Sequence, residues 1–387
     1  MVQVVRLAAM TPYAKGLALV LTLSSAVRAQ PKDTVGSQWT YDTPDARFHL
    51  EVIAAGLTMP VGMSFLPDGR LLIADRPNGH LSVLDPATRT VTPIDSVPDV
   101  FAKGLAGLMD VLVHPAYGHN GWIYLAYSSG RADSNTLVVE RFHLVAHHLT
   151  DRHRIFAARP IVPSTDDYGS RLVLDHGYLY ITVGQRDSPE NVQSLASDLG
   201  KVIRLWDDGR VPTDNPFVTR KGALPEIWTL GHRSSAGLAI DPATGALWEA
   251  EHGPQGGDEI NIIRRGLNYG WPVISYGVNY GGKPVGAGLT HQAGMEQPVF
   301  YWNPDIAPSG MVFYSGAAFP RWKGNIFIGS MILQHLNRLA VEKDHIIHEE
   351  RLLLDRKWRV RDVQQGPDGA LYLGIDGGLI ARITPTP

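Results

Sequence analysis

The sequence predicts an all-β fold, a six-bladed β-propeller of four-stranded antiparallel blades, from three observations. Forty glycines and 27 prolines in 387 residues point to many turns and few long helical periods. Six segments share one grammar, a polar or glycine turn followed by about five alternating apolar residues: "LPDGRLLIAD" (66–75), "NGWIYLAYS" (120–128), "DHGYLYITVG" (175–184), "DPATGALWEAEHG" (241–253), "WKGNIFIGS" (322–330) and "GPDGALYLGIDGG" (366–378). Their separations, roughly 45 to 80 residues, suit one four-stranded blade per copy plus variable loops.

Taken in order, residues 1–29 read as a leader. Basic Arg6 and Lys15 precede an apolar run from Gly16 to Ala26, with small Val27 and Ala29 placed for cleavage before Gln30. Removal would strip basic residues (Arg6, Lys15, Arg28) and no acidic ones, making a chain of net charge −3 more negative. A periplasmic or secreted location is expected. Residues 30–45 read as a polar lead-in, and residues 46–387 as one propeller domain, because no linker-like stretch divides them. "RFHLEVIAAGL" (47–57) and "LIARITP" (379–385) are expected to pair antiparallel in the last blade and close the ring, removing exposed edges. A pair of stacked β-sandwiches fits the repeat spacing less well.

Composition sets the chemistry. At 44% hydrophobic and 19% charged, the chain has ample core material. It contains no cysteine, which excludes disulfides, thiolate metal sites and a cysteine nucleophile. No basic stripe marks a nucleic-acid partner. No later segment reaches the roughly 18 apolar residues of a membrane helix.

Propellers gather ligands where loops from several blades converge on the axis. The richest loop is "EHGPQGGDEINIIRRGLNYGWP" (251–272). Its Gly253-Pro254 and Gly256-Gly257 pairs force turns that free backbone carbonyls, and hard cations such as calcium take carbonyl and carboxylate oxygens. Glu259 with the Asn268-Tyr269 backbone would form one cage, and the Gly253 and Pro254 carbonyls would face a second ion. A tightly turned hairpin with surface acids is the alternative.

The segment "IWTLGHRSSAGLAIDPATGALWEAEHGPQGGDEINIIRRGLNYGWP" (227–272) strongly resembles the soluble glucose/sorbosone dehydrogenase family, six-bladed quinoproteins that use pyrroloquinoline quinone (PQQ) and calcium to oxidise aldoses. "GLAGLMDVLVHPAYGHNGWIYLAYS" (104–128), "GKVIRLWDDGRVPTDNPF" (200–217), "PVFYWNPDIAPSGMVFY" (298–314) and "WRVRDVQQGPDGALYL" (358–373) match in the same order. The resemblance implies a quinoprotein sugar dehydrogenase that passes electrons to an external acceptor. It implies that Arg233 lies beside the quinone, with Ser234 and Asp166 among the cofactor contacts. It also implies that Arg359 and Arg361 hold the cofactor carboxylates; a planar guanidinium pairs with such groups bidentately, and the Arg-Val-Arg alternation puts both on one strand face. Gly253 and Pro254 match the carbonyl donors to the catalytic calcium, and Glu259 and Tyr269 match a second, structural calcium.

Four positions depart from the family pattern. Asp167, in "STDDYGSRL", stands where the family carries its general-base histidine, so Asp167 is the expected base. Leu105, Ser234 and Ile332 stand where glutamine, asparagine and lysine are usual. Two further readings follow: a family member with a degenerate pocket that binds sugar, or a calcium-dependent lactonase using Asp166, Asp167, Asp258 and Glu259. His143, His147, His148 and His153 read as a solvated β-connection. His232 and His252 are expected to donate to loop carbonyls, and Trp271 and Trp302 either pack blades or wall the cleft.

Overall fold

A computed structural model describes residues 33–386; the expected leader lies outside the described residues. Six antiparallel sheets surround one axis. Blade 1 comprises Pro60–Phe65, Leu71–Asp75, His80–Asp85 and Thr90–Ile94; blade 2 comprises Leu108–Val113, Trp122–Arg131, Ser134–Val145 and His148–Ala157. Blade 3 comprises Gly169–Asp175, Tyr178–Val183, Lys201–Trp206 and Ile227–Leu230; blade 4 comprises Ser235–Ile240, Leu247–Glu251, Asp258–Ile263 and Phe300–Trp302. Blade 5 comprises Pro308–Phe313, Ile326–Ser330, His335–Glu342 and His345–Leu352.

Blade 6 joins the two ends of the chain. Val360–Gln365, Leu371–Ile375 and Leu379–Pro385 are completed by Arg47–Ala54, in the order expected for ring closure. Leu50 pairs with Ile383 and Val52 with Ala381. Gln38–Asp42 adds a fifth, outermost strand, so part of the lead-in carries regular structure. Trp39 explains it, because its ring packs edge-on against Trp358 at 5.7 Å.

Each of the six repeated segments supplies the second strand of its blade, with its turn joining first strand to second. One detail differs from the expected alternation: Leu71–Asp75, Leu247–Glu251, Ile326–Ser330 and Leu371–Ile375 are buried at every residue. A central strand covered by a neighbouring blade on each face needs no polar side, as in sheets covered on both faces. Outer strands meet water, His148–Ala157 being mostly exposed.

The first strands of all six blades ring the axis. Space there is short, and glycine supplies it. A Cβ at Gly310 would lie 1.8 Å from Asp362 Oδ1, and one at Gly62 would lie 2.6 Å from Asp110 Oδ1. These acids link adjacent blades: Asp362 Oδ2 accepts from the Met63 amide and Asp110 Oδ2 from the Leu172 amide, at 2.8 and 2.9 Å. Arg171 lies between them, 3.2 Å from Asp362 and 3.7 Å from Asp110, and also donates to the carbonyls of Ala236 and Arg361. It divides the axial channel. The N-terminal ends of the inner strands line a cavity of about 300 Å³ and their C-terminal ends another of about 320 Å³, Arg171 lining both.

Candidate active site

The N-terminal axial cavity collects residues from every blade: Val61, Met109, Asp167, Ser234, Ser309 and Arg361 among them. Its electrostatics are dominated by arginine. Arg76, Arg171, Arg359 and Arg361 all line it. Asp376 binds two of these: its Oδ2 accepts from Arg359 Nε at 2.8 Å, and its Oδ1 and Oδ2 accept from Arg361 at 2.5 and 2.8 Å. Burial opposes ionisation of Asp376, but Arg361 and Arg359 outweigh it and hold its carboxyl below the usual range. Arg76 has no carboxylate of its own; burial, then the charges of Arg361, Arg171 and Arg359, bring its guanidinium down to about 10. Its buried Nε has no hydrogen-bond partner among the described residues. The cavity is thus built to take a polyanion.

Asp167 sits at the cavity wall in a left-handed conformation, φ 46°. Aspartate tolerates this backbone better than most residues. The turn is crowded: a Cβ at Gly184 would fall 2.0 Å from the Asp167 carbonyl oxygen. Arg186 supports the loop from behind, stacked over Tyr168 at 3.5 Å and donating to the Ser164 carbonyl and to Asn135. The Asp167 carboxylate receives the Gln185 side-chain amide at 2.8 Å and lies 3.6 Å from Arg233 Nη2. Gln185 in turn accepts from Trp271 Nε1 at 2.7 Å, and the Arg233 guanidinium lies over the Trp271 ring at 5.4 Å. Base candidate, cation and aromatic wall form one connected unit.

The loop 251–272 sits beside it. Gly253 lines a small second cavity with Glu251, His252, Gly257, Glu259, Tyr269 and Trp271, while Pro254 is buried next to it. No hydrogen bond among the described residues ends on the Gly253 or Pro254 carbonyl oxygen. Gly257 is needed twice, for its φ of 78° and because a Cβ there would lie 2.5 Å from the Gly277 nitrogen. Asp258 is consumed structurally: it accepts from the amides of Gly253, Ile306 and Ala307 at 2.9, 2.8 and 2.7 Å. The Tyr269 hydroxyl donates to the Ile262 carbonyl and accepts from the Arg264 amide, which leaves only its backbone oxygen for a cation.

Other sequence candidates are placed as follows. Ser234 lines the cavity; Asp166 does not, its side chain being exposed while its amide donates to Ser164 Oγ. Leu105 lines the cavity and is 44% exposed; Ile332, 55% exposed, follows the lining residue Met331. His252 Nε2 faces the Pro308 carbonyl at 2.6 Å, so that nitrogen carries the proton, and burial holds the ring below its usual pKa. His232 differs from expectation: it faces carboxylates rather than a loop carbonyl. Trp302 packs in the blade 4 core. His143 stacks on Trp122 at 3.7 Å within the blade 2 hairpin.

Residues 57–382 match the family described as glucose/sorbosone dehydrogenase. The chain belongs to that family. It is 36% identical over 373 residues to the aldose sugar dehydrogenase YliI of Escherichia coli (strain K12), covering 95% of this chain and 97% of that one. It is 29% identical over 256 residues to quinoprotein glucose dehydrogenase B of Acinetobacter calcoaceticus, covering 59% of this chain and 53% of that one. Among solved structures, the soluble aldose sugar dehydrogenase of Escherichia coli in its apo-form superposes with a TM-score of 0.83 at 39% identity, over 87% of this chain and 99% of that one.

Arg76, Gln185 and Asp376 were not singled out by sequence. Arg76 opens the turn of "ADRPNG" and Asp376 ends the strand of "LYLGIDGG". Both are charges at strand ends, a pattern that would have found them; Gln185 is uncharged and carries no such signal.

Proposed function

We propose that the protein is a quinoprotein sugar dehydrogenase, oxidising aldoses to lactones with PQQ and calcium and passing the electrons to an external acceptor. The observation that carries this is the pairing of an arginine-lined axial cavity with an aspartate fixed at its wall. A tricarboxylate cofactor fits the donor set: Arg359, Arg361 and Arg76 would hold its carboxylates, and Ser234 offers a hydroxyl beside them. The Gly253 and Pro254 carbonyls suit a hard cation. When bound, PQQ would take up the substrate hydride, with calcium polarising its carbonyl.

The chain itself supplies proton transfer and position. Asp167 removes the proton of the anomeric hydroxyl, the role of a general base. Gln185 holds the carboxylate in place through one oxygen, and Arg233 lies near that same Oδ2. His252, neutral and donating to Pro308, is a wall rather than a base. A lactonase cage built on Asp258 is disfavoured, since three backbone amides already occupy that carboxylate. Work outside the cytoplasm, after removal of residues 1–29, belongs to the same proposal.

The test is reconstitution of the purified protein with PQQ and calcium, followed by dye reduction on a panel of aldoses. Sugar-dependent reduction supports the reading. Acid release from lactones without an acceptor, or sugar binding without turnover, would replace it.

A further inference from the structure

Behind Arg233 lies a second group of ionisable side chains that the proposed reaction does not use. His232, Glu249 and Glu251 are buried, with relative exposures of 0%, 0% and 4%. They come from two places: His232 follows the last strand of blade 3, and Glu249 and Glu251 alternate on the second strand of blade 4. One donor atom from each lies within 4.8 Å of the others. His232 Nδ1 is 3.4 Å from Glu251 Oε1 and 4.0 Å from Glu249 Oε2. Two donors bound to one ion at about 2.1 Å lie about 3.4 Å apart at the tetrahedral angle and at most about 4.2 Å apart. Both histidine–carboxylate distances fall inside that limit.

The surroundings support a ligand. His232 Nε2 lies 2.9 Å from Thr229 Oγ1, an outer partner of the kind metal-bound histidines carry, while Nδ1 points at Glu251 Oε1 across 3.4 Å. The Tyr269 ring stacks on the imidazole at 4.7 Å and fixes its plane. Glu249 Oε1, Asn261 Oδ1 and Ser235 Oγ are buried with no hydrogen-bond partner among the described residues. Asn261 Nδ2 reaches both acids, at 3.3 Å from Glu249 Oε2 and 3.1 Å from Glu251 Oε1. Glu259 pairs with Glu251 on the neighbouring strand and is half-buried. The buried Asn261 Oδ1 and Glu249 Oε1 have no donor among the described residues. A cation answers them together.

We propose that His232, Glu249 and Glu251 bind a divalent transition-metal ion inside blade 4. The imidazole nitrogen decides the class: calcium takes oxygen donors, whereas zinc accepts mixed nitrogen and carboxylate sets. The site is separate from the calcium expected at Glu259 and the Tyr269 carbonyl, which uses neither His232 nor Glu249. Its consequence is positional. Glu251 Oε2 accepts the Arg233 amide at 2.6 Å, so the ion anchors the backbone that aims Arg233 at Asp167.

The test is zinc retention. The full chain is stripped with chelator, mixed with equimolar zinc in millimolar calcium to keep hard-cation sites filled, desalted, and its metals counted by mass spectrometry. One zinc per chain is expected, falling at least tenfold in both His232→Gln and Glu249→Gln, with Asp167→Asn unaffected. Circular dichroism establishes that each variant is folded, and zinc-edge anomalous scattering from wild-type crystals gives an independent reading at His232. Absence of retained zinc, retention by both variants at the wild-type level, or no anomalous peak between His232 and Glu251 would overturn the proposal. None of these readings requires PQQ or turnover, so they stand apart from the dehydrogenase assay.

Discussion

The Gln185 side chain donates to Asp167 Oδ2 at 2.8 Å while its own oxygen is tied to Trp271. The amide orientation is therefore fixed from both ends, and with it the carboxylate. Asp167→Asn is expected to lower kcat by about 10²- to 10⁴-fold, the usual value of general-base catalysis. Gln185→Leu removes one hydrogen bond to a charged group, worth about 1.5–3 kcal/mol, so kcat should fall about ten- to a hundredfold. Steady-state kinetics with PQQ titrations check both. A merely structural Gln185 would lower melting temperature and cofactor affinity together, leaving kcat of the loaded protein intact.

Arg359 and Arg361 share Asp376, whereas Arg76 faces the same cavity without an acid. Arg361→Met and Arg76→Met are each expected to weaken PQQ binding about tenfold or more, as the loss of a charge-assisted contact requires. Arg76→Met should do so without lowering stability, since it relieves repulsion from Arg361, Arg171 and Arg359. Fluorescence titration alongside thermal melts measures the pair. Unchanged affinity in Arg76→Met would place the cofactor carboxylates elsewhere.

The blade count was legible because each second strand announces itself by a turn and an apolar run; "GPDGALYLGIDGG" needs only local rules to be read. The full burial of Leu371–Ile375 was not, because it depends on which blades flank it. The same limit applies at the site. Arg359 and Arg361 are two residues apart and could be read as a pair, but Asp376 meets them only after a hairpin turn. Gln185 lies 18 residues from Asp167. His232 could be picked out but not its neighbours Glu249 and Glu251, because a buried histidine looks like any other until the strand beside it is known.

Asp198 gives a pH signature remote from the site. It is fully buried beside Glu226, and burial followed by that charge raises its carboxyl to about 7. A raised folded pKa means the folded state holds the proton more tightly, so the stabilising contribution is full below about pH 4 and is lost as pH rises towards 7. Asp198→Asn keeps an oxygen for the Arg159 amide and cannot ionise. Its melting temperature relative to wild type should therefore climb between pH 4 and 7 and level off above. A constant difference across that range would sink the assignment.

Calcium dependence should be local to the loop at 253–257. A Cβ on Gly253 would lie 2.1 Å from the Gly256 carbonyl oxygen, so Gly253→Ala must reshape the turn that presents the Gly253 and Pro254 carbonyls. Chelation of the wild type and Gly253→Ala are both expected to abolish dye reduction, with calcium restoring only the wild type. Activity that survives chelation would remove calcium from the reaction.

Arg171 is the charge that lets two acids sit on the axis. Without it, Asp110 and Asp362 would face each other across the closed ring with no cation between them. Breaking such a buried set by removing one partner costs about 3–5 kcal/mol. Arg171→Met is therefore expected to destabilise strongly, and more so as pH rises, because burial already lifts Asp110 to about 7 and raises Asp362. Below that range the acids take up protons and the loss shrinks. Adding Asp362→Asn should recover part of the stability at pH 8, since an asparagine oxygen can still accept the Met63 amide. Thermal melts of the single and double variants at pH 5 and pH 8 decide it: a penalty independent of pH and unrelieved by Asp362→Asn would mean that Arg171 acts by filling space rather than by charge.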